Sequence, residues 1–181
     1  MRSRLLAGGL KLPCLDWLAR HPLEREVKLL TDPGNPNALA RARSLARYLG
    51  FRLDIGPRSI NGYDMRPWSE AAQRQMMQEC KAAIDIKGEG FNQLTKPPTK
   101  AQKFISSGIA FACNWETSAS RYFRERGFDL ASPQDADWWF SQDYWERTQR
   151  FATGLRERIS IESVGLAYRN ELQSLWPSPN P

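Results

Sequence analysis

Three lysines in the middle of the chain have a spacing that could bind an anion. Lys96, Lys100 and Lys103 are separated by four and three residues, so a helix would carry them on one face. Pro97 and Pro98 predict that this helix begins at Pro98, because proline at the first helical position loses no hydrogen bond. A cation near the positive end of a helix is unfavourable by about 0.3–1 kcal/mol, and a bound anion would reverse that sign.

The chemistry that such a helix start could carry is the binding of a phosphate or a pyrophosphate. Free backbone N–H groups, the helix dipole and two or three lysines together make a favourable site for these anions. The same lysines could instead be long side chains that point into water. Their spacing alone does not separate the two interpretations.

The residues around the lysines predict a strand–helix–strand crossover. We expect a strand at 82–86, a glycine-bearing polar loop at 87–95, the helix at 98–107 and a second strand at 109–113, with Gly108 ending the helix. Both strands are continuous apolar runs. Such runs are typical of strands that are covered on both faces of a parallel sheet.

The segment KPPTKAQKFISSGIAFACN, preceded by a strand and a Gly-x-Gly loop, resembles the donor-binding half of GT-B-type glycosyltransferases. The resemblance extends over residues 27–175, and its sharp motif is 96–114. It departs from the family where Thr95 and Lys103 occupy the places of two glutamates found in many retaining members. Ala110 also replaces the proline of a Gly-x-Pro turn.

The resemblance implies a fold and a function. The fold is a three-layer α/β Rossmann-like domain with a mainly parallel sheet, one half of a GT-B architecture. The function is to hold a nucleoside-diphosphate sugar for glycosyl transfer to an unidentified acceptor, with no metal or other cofactor. The acceptor site would come from an N-terminal half or a partner subunit, without which the chain would be inactive. The alternative is a truncated or non-catalytic domain for nucleotide binding or protein interaction.

The resemblance also implies two groups of site residues, while no catalytic residue is assigned. The donor diphosphate is expected at Lys96, Thr99 and Lys100. The residues expected near the donor sugar or nucleotide are Gly88, Glu89, Gly90, Asn92, Lys103, Asn114, Glu116, Trp68, Asp32 and Gly34. For Trp68 the alternatives are stacking on a nucleobase and packing into the core. For Asp32 and Gly34 the alternative is an ordinary turn.

The remaining segments predict the rest of one domain. Residues 1–26 are expected to be a linker or an edge segment, 27–175 the donor-binding domain, and 176–181 a disordered tail. The expected strands are 27–30, 51–55, a short one at 59–61 within the loop 58–67, and 128–130. The expected helices are 37–49, one opened by Ser69, 116–124, a long aromatic helix after Asp137, and 159–175.

Composition narrows the function classes. Lysine and arginine number 26 against 20 acidic residues, a net charge of +6, which favours an anionic partner. The basic residues are spread along the chain, so a specific nucleic-acid partner is not expected. The single histidine and the three widely separated cysteines disfavour a metal site or a Ser-His-Asp triad. Gly88-x-Gly90 lacks the third glycine of a dinucleotide fingerprint, which disfavours a dehydrogenase.

The sequence contains no long uncharged apolar run of the kind that spans a membrane. Its first fifteen residues also lack the length and cleavage site of a signal peptide. We therefore expect no transmembrane segment and a cytoplasmic location.

Overall fold

A computed structural model of the chain describes residues 4–8, 14, 17, 20, 21, 26–31, 47, 55, 56, 59, 60 and 63–175. Asp32, Gly34, most of the helix expected at 37–49 and the tail at 176–181 lie outside the described residues. The expectations for them stay predictions.

The described residues contain one sheet with seven strands. Its strands are β1 (Arg4–Gly8), β2 (Glu26–Thr31), β3 (Ile55–Gly56), β4 (Ser59–Ile60), β5 (Tyr63–Pro67), β6 (Ala82–Asp85) and β7 (Ala110–Cys113), and their order is β3-β4-β5-β2-β1-β6-β7. The five strands β5, β2, β1, β6 and β7 are parallel to one another. β4 pairs with β5 and β3 pairs with β4, both in the antiparallel direction, at one edge of the sheet. The mainly parallel sheet is confirmed. The order β5-β2-β1-β6-β7 is that of a doubly wound mononucleotide-binding fold, so the Rossmann-like α/β class is also confirmed.

β1 lies in the interior of this sheet. Leu5 is paired with Val27 of β2 on one side and with Ala82 of β6 on the other. The expectation of a linker or edge segment is therefore wrong for Arg4–Gly8, while the other expected domain boundaries stay predictions. The five residues RLLAG are too few to show a periodicity, and only pairing with distant strands identifies them.

β5 is a second strand that the sequence did not indicate. The segment Tyr63–Pro67 was expected to be part of a loop because it carries Asp64, Arg66 and a proline. In the structure its residues pair with β2 from Asp64 to Pro67. The proline is tolerated because it lies at the end of the strand.

The described helices that flank the sheet are α1 (Glu70–Glu79), α2 (Phe91–Leu94), α3 (Thr99–Ser106), α4 (Ser118–Arg124), α5 (Ala136–Trp139), α6 (Gln142–Arg158) and α7 (Ile161–Leu175). Ser69 caps α1 as expected, since its hydroxyl accepts a hydrogen bond from Ala72 N at 3.0 Å. The long aromatic helix is in fact two helices. Ser141 separates them because its extended backbone caps α6 through a bond from Tyr144 N at 3.1 Å.

β6 and β7 form the centre of the hydrophobic core, and every residue of both strands is buried. The strand expected at 128–130 is not formed. Instead, Ala131 makes a single parallel bridge to Ala112, and its carbonyl accepts a hydrogen bond from Cys113 N at 3.1 Å. The buried Tyr144 hydroxyl donates to Phe111 O at 2.8 Å and accepts from Ala131 N at 3.0 Å. Tyr144 thus ties β7 to the segment beside it.

Gly108 ends α3 in the left-handed region, with a φ of 74°, as its sequence position predicts. The turn is closed by a hydrogen bond from Ile109 N to Phe104 O at 3.0 Å. The Gln149 side chain donates to Gly108 O at 2.6 Å, and a Cβ at Gly108 would lie 2.5 Å from Gln149 Nε2. The turn between α3 and β7 therefore requires glycine.

α7 is a helix of 15 residues that buries none of them, and among the described helices it shares this only with the four-residue α2. Its exposed apolar residues are Ile161, Val164, Leu166, Tyr168, Leu172 and Leu175. By contrast, Trp139, Phe140 and Tyr144 of the aromatic segment are buried in the core. The large exposed apolar surface of the C-terminal part therefore belongs to α7.

Candidate functional site

The centre of the sheet contains a point where a ligand is expected. In open parallel sheets, ligands bind outside the carboxyl ends of the strands, at the place where the strand order reverses. Here that place lies between β1 and β6, because β2 follows β1 on one side and β6 and β7 continue on the other. Asp85 is the last residue of β6 and Cys113 the last residue of β7. The residues just beyond them form the candidate site.

A buried carboxylate lies at the carboxyl end of β6 and binds two lysines. The Asp85 side chain is 4% exposed; its Oδ2 lies 2.7 Å from Lys87 Nζ and its Oδ1 lies 3.2 Å from Lys100 Nζ. The lysines differ in exposure: the side chain of Lys87 is 11% exposed and that of Lys100 is 42% exposed. A burial this deep requires the carboxylate to be paired. The three charges together leave one excess positive charge.

Asn114 holds the backbone of Lys87 in place. Its Oδ1 accepts from Lys87 N at 2.8 Å and its Nδ2 donates to Lys87 O at 3.3 Å. This pair of bonds joins the segment after β6 to the segment after β7. Asn114 was expected near the nucleotide, and in the structure it acts on the site through Lys87.

A second link joins the start of α4 to the segment before α3. The Ser118 hydroxyl donates a hydrogen bond to Lys96 O. Thr117 caps α4, because its Oγ1 accepts from Ser120 N at 3.2 Å. The same hydroxyl donates to Asn114 O at 2.9 Å. The backbone of Lys96 is thus fixed next to the end of β7.

α3 begins beside this cluster without a side-chain cap. Pro98 is the N-cap residue and Thr99 the first helical residue, one position later than expected. Proline has no side-chain oxygen, so the first N–H groups of α3 receive no hydrogen bond from their own cap residue. Groups of this kind are available to an anion.

A small cavity lies between these groups. Its lining residues are Asp85, Lys87, Gln93, Lys96, Pro97, Pro98, Lys100, Ala101, Phe111, Cys113, Thr117, Ser118 and Ala119. Its volume of about 10 Å³ is close to the minimum that holds one water molecule. Gln93 Oε1 is buried and has no hydrogen-bond partner among the described residues. A phosphate would enter only after a lining side chain moves, and Lys100 is the more exposed of the two lysines that bind Asp85.

The structure brings some of the expected site residues together and separates others. Lys96 and Lys100 both line the cavity, whereas Thr99 is exposed on the first turn of α3. Gly88, Glu89, Gly90 and Asn92 follow β6 in the segment that leads to the cavity but do not line it. Glu116 is exposed, and its carbonyl accepts from Arg121 Nη1 at 3.0 Å.

Trp68 and Lys103 do not line the cavity and are joined to each other through Gln73. Both donate to Gln73 Oε1, from Trp68 Nε1 at 3.4 Å and from Lys103 Nζ at 3.1 Å. Trp68 is 52% exposed, so it does not fill the core. It follows the carboxyl end of β5, at the same edge of the sheet as Asp85. Lys103 therefore does not share the cavity with Lys96 and Lys100.

Sequence reasoning missed Asp85, Lys87 and Gln93. One signal was present, since Asp85 is the one charged residue in the buried run 82–86. A charge at the carboxyl end of a buried strand indicates a partner or a ligand. The pairing of Lys87 with that carboxylate, rather than with solvent, depends on the loop that Asn114 holds.

The other groups at the site offer little acid–base chemistry. Burial raises the pKa of the Cys113 thiol, although hydrogen bonds with Ser120 and Thr117 oppose this effect. The thiol is therefore a weak nucleophile at neutral pH. Among the described residues there is no group of three or more His, Cys, Asp or Glu side chains that could hold a metal ion. None of the described helices has the length and apolar character required to cross a membrane.

Comparison with known proteins gives matches to structures and none to sequences. No protein-family model and no curated protein sequence matches the chain. The structure of AviGT4, a glycosyltransferase involved in avilamycin A biosynthesis, matches 98% of this chain and 53% of its own length, with 12% identity and a TM-score of 0.52. The structure of the glycosyltransferase SnogD from Streptomyces nogalater matches 86% of this chain and 38% of its own length, with 14% identity and a TM-score of 0.49.

The similarity in fold is to AviGT4, whose TM-score is the higher of the two. At 12% identity the similarity concerns the fold and does not extend to substrates. The chain spans about half the length of AviGT4. The resemblance to one half of a GT-B glycosyltransferase is thus confirmed at the level of the fold: the chain is a Rossmann-like α/β domain similar to half of such an enzyme.

Proposed function

We propose that this chain is the donor-binding half of a glycosyltransferase and holds a nucleoside-diphosphate sugar at the carboxyl end of β6. One observation carries the proposal. Lys96, Lys100 and the uncapped start of α3 meet at a cavity beyond the carboxyl ends of β6 and β7, and β6 is one of the two strands between which the strand order reverses.

The lysines would act by electrostatic stabilisation. When the glycosyl bond breaks, negative charge develops on the leaving diphosphate, and fixed positive groups lower the energy of that state. Lys96 and Lys100 would carry this charge, and the first N–H groups of α3, near Thr99, would donate to the phosphate oxygens. In this proposal the lysines replace a bound metal ion. The acceptor and any catalytic base would be supplied by another half or a partner subunit.

The rest of the donor would lie along the same edge of the sheet. Trp68 exposes its ring beyond β5, where a nucleobase could stack on it. Gly88, Glu89, Gly90 and Asn92 would lie near the sugar or the nucleotide, together with Glu116. Asp32 and Gly34 follow β2 in the sequence and would approach the same edge.

Isothermal titration calorimetry with uridine, guanosine and thymidine diphosphates tests the donor site. Lys100→Ala should weaken the binding of the preferred diphosphate by about 10- to 100-fold, because it removes a charge-assisted hydrogen bond. Lys81→Ala is the matched control. It removes the same charge next to the amino end of β6, on the opposite edge of the sheet, and should leave the affinity unchanged.

Two results would contradict the donor site. One is the absence of binding for all three diphosphates up to millimolar concentration. The other is an equal loss of affinity in Lys81→Ala and Lys100→Ala, which would mean that the binding depends on net charge and not on the cavity.

The alternative function is that of a non-catalytic nucleotide-binding or protein-interaction domain. Two observations favour it: Thr95 and Lys103 replace the glutamates of many related enzymes, and α7 exposes an apolar surface. A comparison of uridine diphosphate with uridine-diphosphate sugars separates the two functions. A donor half should bind at least one intact sugar nucleotide more tightly than the diphosphate alone, whereas a nucleotide sensor should bind both equally.

A further inference from the structure

We infer that Asp85 competes with a bound diphosphate for Lys100 and thereby accelerates the release of the diphosphate. The inference rests on the proposed donor site and gives the buried Asp85 carboxylate a role in it. It concerns the group that occupies the lysines when no anion is bound.

The first step is that the two lysines of the pair are unequal. Lys87 is held at both its side chain and its backbone, by Asp85 at 2.7 Å and by Asn114 at 2.8 and 3.3 Å. Lys100 is joined to Asp85 at the longer distance of 3.2 Å, and 42% of its side chain is exposed. Lys100 can therefore leave Asp85 at a lower cost than Lys87.

The second step concerns the charge that remains after Lys100 moves. A buried carboxylate without a cation would be strongly destabilised. Because Lys87 stays on the other oxygen of Asp85, the pair left behind is neutral. Lys87 thus acts as the permanent counter-ion of Asp85, and Lys100 is the exchangeable one.

The third step is the size of the cavity. With Lys100 on Asp85, the space between the lining residues has a volume of about 10 Å³, which is too small for a phosphate group. Lys100 lines this space and is the less firmly held of the two lysines, so we expect it to exchange the carboxylate for a phosphate oxygen when a diphosphate binds. Within the described part of the chain, Lys96 lines the same cavity and makes no ion pair, so it meets the anion without such an exchange.

The return of Lys100 from the phosphate to Asp85 explains how the competition would favour dissociation of the diphosphate. When a diphosphate leaves, Lys100 returns to Asp85 instead of remaining as an unpaired cation. A carboxylate fixed within reach of the lysine therefore lowers the affinity for the diphosphate and raises its dissociation rate. In a transferase this would favour the departure of the nucleoside diphosphate after each turnover.

The experiment measures the affinity and the dissociation rate of inorganic pyrophosphate, which carries the diphosphate without base or sugar. Asp85→Asn should raise the affinity by about tenfold, because it frees Lys100 and adds one positive charge. The decisive variant is Asp85→Asn combined with Lys87→Met, which keeps the net charge of the site. It should still raise the affinity by about three- to fivefold, with most of the change in the dissociation rate.

The increase in affinity for pyrophosphate must also depend on Lys100. Adding Lys100→Ala to the double variant should abolish the increase and give the affinity of Lys100→Ala alone. The double variant removes a buried ion pair as a unit, a change that proteins often tolerate. Circular dichroism and thermal unfolding check that each variant is folded.

The outcomes separate this inference from the proposed function. If the unmodified protein binds pyrophosphate and the folded double variant binds it equally or more weakly, Asp85 positions Lys100 instead of competing for it, and the inference is overturned while the donor site stands. If only the Asp85 variants bind measurably, the inference is supported. If no variant binds pyrophosphate or a nucleoside diphosphate, both proposals fail.

Discussion

Replacement of Tyr144 by phenylalanine should destabilise the protein by about 2–6 kcal/mol, because it removes one hydroxyl that serves two buried backbone groups. The hydroxyl donates to Phe111 O at 2.8 Å and accepts from Ala131 N at 3.0 Å. Phenylalanine keeps the ring and loses both bonds. The change therefore isolates the polar contribution of the side chain.

The magnitude follows from burial. Tyr144 has no exposed surface, so water cannot replace the lost hydroxyl without a rearrangement of the core. Each buried backbone group left unpaired costs about 1–3 kcal/mol. The contacts of the ring with Phe128 and Trp138, at centroid distances of 5.8 and 5.6 Å, remain in the variant, so little cavity energy is added.

Urea unfolding followed by tryptophan fluorescence measures the change in the free energy of unfolding. Tyr122→Phe is the control, because its ring is half-buried and contacts the Arg126 guanidinium at 3.7 Å. That variant should remain within about 0.5 kcal/mol of the unmodified protein. If Tyr144→Phe also remains within that range, the bridge between Phe111 and Ala131 does not stabilise the sheet and the reasoning is refuted.

Tyr144 should also make the stability of the protein depend on pH. Burial raises the pKa of Tyr144 above its ordinary value of 10.0. Between pH 10.0 and the raised pKa the folded state binds more protons than the unfolded state, so the stability that Tyr144 contributes is complete below pH 10.0 and decreases above it. The difference in stability between the unmodified protein and Tyr144→Phe should therefore narrow above pH 10.0. A difference that stays constant to pH 11.5 or widens would contradict this expectation.

Two further substitutions test the turns that shape the site. Gly108→Ala should lower the free energy of unfolding by about 1–2 kcal/mol more than Gly127→Ala does. Both glycines have a positive φ, but only at Gly108 would a Cβ meet Gln149. Equal unfolding free energies of the two variants would contradict this expectation. Asn114→Ala should lower the free energy of unfolding by about 1–2 kcal/mol and weaken diphosphate binding, because Lys87 loses two hydrogen bonds. Unchanged calorimetric affinity in a destabilised Asn114→Ala would show that the hold on Lys87 matters for folding alone.

The central crossover could be predicted from the sequence because its signals are local. Three kinds of local signal predict it without knowledge of distant residues. They are the apolar runs of β6 and β7, the prolines before α3, and Gly108 after α3. The structure places β6, α3 and β7 within one residue of their expected bounds, whereas the segment 87–95, expected to be a loop, contains the short helix α2. Lys96 and Lys100 were also predicted from a local pattern, their spacing at the start of α3, and both line the cavity.

The elements that were missed depend on contacts between distant parts of the chain. β5 becomes a strand because β2 pairs with it, although its own residues favour a loop. Lys103 shares one helix face with Lys100 in the sequence pattern, but Gln73 of α1 draws its ammonium group away from the cavity. Asp85 was overlooked because a strand is recognised by its apolar residues, whereas the role of a charge within it depends on which cations the fold brings to it.

The position of β1 has a consequence for the order in which the fold can assemble. β2 and β5 can pair early, and so can β6 and β7, because each pair is close in the chain. Joining the two pairs requires the strand at Arg4–Gly8, whose second neighbour, β6, follows only after β2 and β5 have been made. Completion of the sheet thus waits for a distant contact, which slows folding. The residues that line the lysine cavity all lie between 85 and 119, within the β6–β7 unit, so the cavity should form with that pair, before β1 joins the two halves of the sheet.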